Sequence, residues 1–180
     1  MSTINHLNRI AIALVAGASL LKSAHAGGDG YTGRVVKWKE VGWYHIEALP
    51  DMRSCSATAN FDGGTMLMVM AMPDQFILML ADNKWSSTFH KGEHYAPTIE
   101  LDNKWENRAA ESTMDGSIVI ANMGKPMVAA FMEADALGLS MNGNARMAVL
   151  DLKYTRSMMY ELANCAVTIS TGNADTSSNF

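Results

Sequence analysis

TMLMVMAMPDQFILML, Thr65 to Leu80, is the stretch that decides the fold. Two β-prone apolar runs, Thr65 to Met72 and Phe76 to Leu80, flank Pro73-Asp74, a dipeptide suited to a tight turn. Side chains alternate along a strand, so Met66, Met68, Met70 and Met72 fall on one face and Leu67, Val69 and Ala71 on the other. A strand that is apolar on both faces belongs in the middle of a sheet that is covered on both sides. The stretch therefore reads as an antiparallel hairpin at the centre of the fold.

Similar runs continue on either side: Trp43 to Ala48, Cys55 to Phe61, Tyr95 to Leu101, Trp105 to Ala110 and Ser117 to Ala121. Asp62-Gly63-Gly64, Asp82-Asn83, Asp102-Asn103 and Asp115-Gly116 punctuate them with turn chemistry. Beyond these, Pro126 suits a first helical turn, and Met127, Val128, Phe131, Met132 and Leu137 recur at helical spacing, predicting a helix over Lys125–Ala136. Leu139–Met141 and Arg146–Leu150 then read as strands joined across Asn142-Gly143-Asn144. A second helix is expected over Thr155–Asn164, with Tyr154 or Thr155 near its N-cap and Met158, Met159, Leu162 and Cys165 as its apolar edge; Ala166–Ser170 reads as an added edge strand. The class is α+β: an antiparallel, β-rich domain of hairpins with two helices in the C-terminal half.

The first 26 residues read as an export signal. Arg9 supplies a basic start, Ile10 to Leu21 is an apolar stretch, and Ala24-His25-Ala26 is a small-x-small cleavage pattern. The run is shorter than the roughly 20 residues that span a bilayer, so no membrane span is expected, and a periplasmic or secreted location is. Gly27 to Gly33 reads as a flexible lead-in, residues 34–170 as a single domain, and residues 171–180 as a disordered tail. The segment after residue 26 carries 12 basic and 18 acidic residues, a balance that argues against nucleic acid or anionic lipid as partner. Its two cysteines, Cys55 and Cys165, are an even count in an exported chain and predict a disulfide tying the first third of the fold to the C-terminal end of the last helix. No C-x-x-C accompanies them.

Residues with chemical potential are few. The four thioethers of Met66, Met68, Met70 and Met72 are soft donors that would suit Cu(I), yet along one strand they span roughly 20 Å, so core filling is the expected role. His90-Lys91-Gly92-Glu93-His94 has the order of a zinc-peptidase motif, but Gly92 and β-prone flanks make it a hairpin loop. Asp62 and Asp74 occupy turns, and no G-x-S-x-G elbow, Walker loop or dinucleotide fingerprint is present. Trp38, Trp43, Trp85 and Trp105 all fall in the β-rich half, where they are expected to be partly buried. Neither a catalytic set nor a cofactor is expected.

Gly42-Trp43, Cys55-Ser56-Ala57, Phe61 to Thr65, Asn83 to Ser86, Leu137 to Leu139 and Leu162 to Cys165 together resemble small bacterial periplasmic proteins of the invasion-associated locus B group. The likeness spans most of residues 42–165 and consists of turn and packing motifs. It implies no catalytic residue. Where that group often opens its last helix with Gly-Ser or Gly-Phe, this chain has Tyr154-Thr155. The expected function is non-catalytic binding of an envelope protein, as an inhibitor, immunity or envelope-stress factor would do. The alternatives are a soft-metal or small-ligand binder using the methionine stripe, and a hydrolase with an unrecognised site. Protein recovered after export should begin at Gly27; intact-mass measurement tests this, and retention of residues 1–26 would contradict it.

Overall fold

A computed structural model describes residues 33–102, 104–141 and 146–172. The expected signal peptide, most of the lead-in, the Asn142-Gly143-Asn144 turn and the tail beyond residue 172 lie outside the described residues. The strands are β1 (Val36–Val41), β2 (Tyr44–Leu49), β3 (Ser54–Asn60), β4 (Met66–Met72), β5 (Gln75–Ala81), β6 (His94–Tyr95), β7 (Pro97–Leu101), β8 (Lys104–Asn107), β9 (Ala110–Glu111), β10 (Ser117–Ile120), β11 (Ala136–Met141) and β12 (Ala148–Asp151). The helices are α1 (Gly124–Glu133) and α2 (Thr155–Ser170). This is an antiparallel α+β architecture with both helices in the C-terminal half.

An eight-stranded sheet has the order β1-β2-β3-β4-β5-β10-β9-β6, and a four-stranded sheet the order β12-β11-β7-β8. The hairpin around Pro73-Asp74 forms as expected, with Met72 opposite Gln75 and the register running to Met66 opposite Ala81. One face of the large sheet carries Tyr44, Ile46, Cys55, Ala57, Ala59, Leu67, Val69, Leu78 and Leu80 into a cluster shared with both helices and with Ile99, Leu101, Leu137, Leu139 and Leu150 of the small sheet. Cys55, Ala57 and Ala59 are the small residues of β3 on that face, and α2 packs across β3 and its neighbours.

Three expectations are corrected. First, a strand precedes those anticipated: Val36 and Trp38 alternate with Lys37 and Lys39 in β1, which lies at the edge of the large sheet, where charged side chains can stay in water. Second, Tyr95–Leu101 and Trp105–Ala110 are each divided between sheets. His94–Tyr95 pairs with Ala110–Glu111 in one, while Pro97–Leu101 pairs with Lys104–Asn107 in the other. Pro97 has no N–H for a ladder, although its carbonyl accepts from the Arg108 amide at 3.0 Å, and the hairpin bends there from one sheet to the next.

Third, the helix limits move. The first helix ends at Glu133 rather than Ala136, because the Asp102 carboxylate accepts the amides of Asp135 and Ala136 at 2.9–3.0 Å and holds that segment extended into β11. The last helix continues through Ser170, so the expected strand Ala166–Ser170 is helical despite its β-branched residues. Leu162, Cys165, Ala166 and Ile169 form one buried stripe at helical spacing, and that packing outweighs local strand preference.

Cys55 and Cys165 are bonded, with Cα atoms 6.1 Å apart across 110 residues of sequence. The bond lies within the second half of α2 rather than at its end. At the helix start, Tyr44 Oη and Thr155 Oγ1 share a hydrogen bond of 2.8 Å, and burial raises the Tyr44 phenol above its usual pKa. Tyr154 takes φ 72°, a left-handed conformation that glycine adopts freely, and its ring meets Trp43 edge-on at 5.1 Å. A Cβ on Gly42 would overlap that ring, so the β1–β2 turn closes against the helix only with glycine there. Cys165→Ser is expected to lower unfolding free energy by roughly 2–4 kcal/mol, read from the denaturant midpoint under non-reducing conditions.

Candidate functional site

The methionine stripe is the most distinctive chemical feature of the molecule. Met66, Met68 and Met70 are almost wholly buried and Met72 partly so. They form a second apolar cluster on the face of the large sheet opposite the helices, together with Leu49, Ile77, Met79, Val119, Ala81, Met52 and Met114. Seven of these eleven residues are methionines, a concentration that the helix-side cluster does not approach. Among the described residues, the apolar members all come from the large sheet and its connecting segments; neither helix nor the small sheet contributes one.

Register fixes the layout of this face. Met68 lies opposite Met79 on β5 and Thr58 on β3, and Met70 opposite Ile77 and Ser56. Ser54, opposite Leu49, completes a row of hydroxyls along β3. The Oγ atoms of Ser54 and Ser56 are buried without a hydrogen-bond partner. On the far side of that row Glu47 stands opposite Ser56, half-buried, with burial raising its carboxyl above the ordinary pKa. The face is therefore a soft, polarisable centre beside buried hydroxyl groups.

A second surface lies on the outside of α2. Its inner stripe, Thr155, Met158, Met159, Leu162, Cys165, Ala166 and Ile169, is buried. Outward stand Tyr160 and Val167, 60% and 62% exposed, with Tyr154 at 42% ahead of the helix. Residues seven apart lie two turns along one side of a helix, so Tyr160 and Val167 form a short apolar line in water.

The remaining candidates are structural in their contacts. His90 and His94 sit in a turn and a two-residue strand, not on a helix. Glu93 accepts a hydrogen bond from Tyr95 Oη, which itself accepts the His90 amide, and Lys91 N–H donates to Asp115. Gly92 takes φ 84° and donates to the Ser112 carbonyl at 2.7 Å. Among the described residues, no three His, Cys, Asp or Glu side chains gather as a metal-ligand set. Asp62 and Asp74 occupy turns at opposite ends of β4, roughly 20 Å apart, so they do not form a pair. Trp85 is buried, Trp38 and Trp43 are partly buried, and the Trp105 side chain lies outside the described residues.

Two carboxylates are buried: Asp82, which the sequence marks only as a turn residue, and Glu100, which no motif marks. Asp82 accepts from the Thr65 hydroxyl at 2.7 Å and the Lys84 amide at 2.9 Å, binding one end of the central hairpin to the next turn. Glu100 pairs with Arg146 at 2.6 Å beside a cavity of about 140 Å³. Thr65 and Asp82 flank the central hairpin in sequence, which is the one local signal for the first; the second joins segments that only the small sheet brings together. A wider groove of about 570 Å³ runs between the Pro73-Asp74 turn and α1, with Phe76, Val128 and Met132 in its wall.

Comparison with protein-family models, curated proteins and solved structures finds no match for this chain. Met68→Asp is expected to destabilise the fold by more than about 4 kcal/mol, or to prevent its accumulation, because it buries an unpaired carboxylate. Met68→Leu should cost less than about 1.5 kcal/mol, and circular dichroism with chemical denaturation measures both.

Proposed function

We propose that this is an exported, non-catalytic binding protein that recognises a protein of the cell envelope through the outer face of α2. The observation that carries the reading is the exposed pair Tyr160 and Val167 on a helix whose inner side is fixed by a disulfide and a continuous buried stripe. Tyrosine brings a large, amphipathic contact at low conformational cost, and a rigid mount reduces the ordering penalty of association. The Tyr44–Thr155 hydrogen bond and the Gly42–Tyr154 contact hold the start of the same helix.

Export is supported by the basic start, apolar run and Ala24-His25-Ala26 pattern, and by a disulfide of the kind that persists in oxidising compartments. The resemblance to the invasion-associated locus B group agrees with a periplasmic setting. The acidic balance disfavours phosphate-rich partners and leaves a protein partner as the natural class.

Capture from envelope extracts with the wild-type protein as bait should recover a specific partner, and Tyr160→Ala combined with Val167→Ala should abolish recovery while the unfolding midpoint stays within about 0.5 kcal/mol of wild type. Hydrolysis of peptide, ester or glycan substrates by the purified protein, lost in His90→Ala or His94→Ala, would overturn the reading.

A further inference from the structure

We propose that the methionine face of the large sheet is a docking surface for an apolar helix, and that Ile10–Leu21 of this chain occupies it until the leader is removed. Met66, Met68, Met70, Ile77 and Met79 are at most 4% exposed. Yet the principal packing partners of β3, β4 and β5 outside their own sheet are the two helices, on the opposite face, and the short Pro50–Met52 turn. One face of a sheet lies open to water unless a second layer packs about 10 Å above it. Among the described residues, no such layer stands over these methionines. The Ser54 and Ser56 hydroxyls, buried on the same face without a partner, fit a cover that is apolar, since an open face would give them to water.

The chain ahead of the described residues holds a segment of the right kind. Ile10–Leu21 is a run of apolar and small residues without a charge, whereas residues 173–180 are mostly polar. Position and size fit as well. The described chain enters beside this face, where the Arg34 amide donates to Asp51 Oδ2 at 2.7 Å, next to Met52 of the methionine cluster. Residues 22–33 reach up to about 40 Å when extended, and the face is about 19 Å across from β2 to β10. As a helix, Ile10–Leu21 is about 18 Å long. Charge agrees with this placement. Arg9 and Lys22 bound the run, one at each end, while Glu47, opposite Ser56, and Glu111, opposite Val119, stand on the two sides of the apolar centre. Methionine suits such a surface, because its flexible thioether packs against apolar groups of varied shape. Cleavage after Ala26 then uncovers the face and leaves the exported chain with an apolar docking surface separate from the outer side of α2.

The first test uses the intact chain with a photoreactive benzophenone side chain in place of Leu14. Irradiation should link it to the peptide spanning residues 66–81; linkage elsewhere, or none, would overturn the proposal. The second reads methionine oxidation by hydrogen peroxide, site by site, before and after signal-peptidase cleavage ahead of Gly27. Met68, Met70 and Met79 should be protected in the intact chain and react at least about tenfold faster in the processed one, while Met158 and Met159 on the helix side stay protected. A synthetic peptide of residues 8–23 should restore the protection. Leu14→Asp with Val15→Asp in the intact chain should expose the same three methionines without cleavage. Equal protection in the intact and processed chains would mean that the described residues close the face by themselves, and would overturn the docking site. If Met158 and Met159 react as well, the processed chain has lost its core, and the cross-link in the intact chain decides. Tyr160→Ala with Val167→Ala should leave all these rates unchanged, so a failure here is distinct from a failure of recognition through α2.

Discussion

The covalent bond between Cys55 and Cys165 joins the first half of β3, an inner strand of the large sheet, to the second half of α2. It closes 110 residues of chain, so the early hairpins and the final helix cannot drift apart, and the packing of both layers follows from that tie. Small residues at Ala57 and Ala59 on the same strand face let the helix lie close to the sheet. With α2 fixed there, Met158, Met159, Leu162 and Ile169 enter the core that the small sheet also fills. The helix is thereby committed over its whole length, including the Val167–Ile169 stretch whose local preference is for strand.

That commitment gives α2 two different sides. The inner side is packed and bonded; the outer side presents Tyr160 and Val167 to solvent on that fixed support. The large sheet is likewise two-sided. Leucine, valine and alanine meet the helices, and methionine fills the opposite face, beside serines left without partners. β4, β5 and β10 each alternate between these two environments.

Much of the fold is legible in the order of the residues. Alternation in Thr65–Leu80, the Pro73-Asp74 turn, the two late helices and the even cysteine count are local or compositional signals, and each corresponds to a feature of the folded chain. Less legible are the limits of those elements. Nothing within Tyr95–Leu101 says that its two ends pair in different sheets, since the break at Pro97 takes effect only through the neighbours each half meets. The end of α1 is set by Asp102, a residue more than thirty positions earlier that takes the amides of Asp135 and Ala136. Glu100 and Arg146 are brought together in the same way, through the pairing of β7 with β11.

The candidate sites show the same division. That four methionines share one face of a strand follows from residue order, because side-chain alternation is a property of the extended backbone and needs no partner. That Met79 lies opposite Met68 follows from the folded sheet, because register between strands is set by the turn and by burial of both faces together. Likewise the helical pattern near the C-terminus is visible in the spacing of Met158, Leu162 and Cys165, whereas the outward line of Tyr160 and Val167 requires the helix to run to Ser170. Helix length there follows from burial against the sheet and from the covalent tie to Cys55, and both are long-range contacts that no local window of sequence contains.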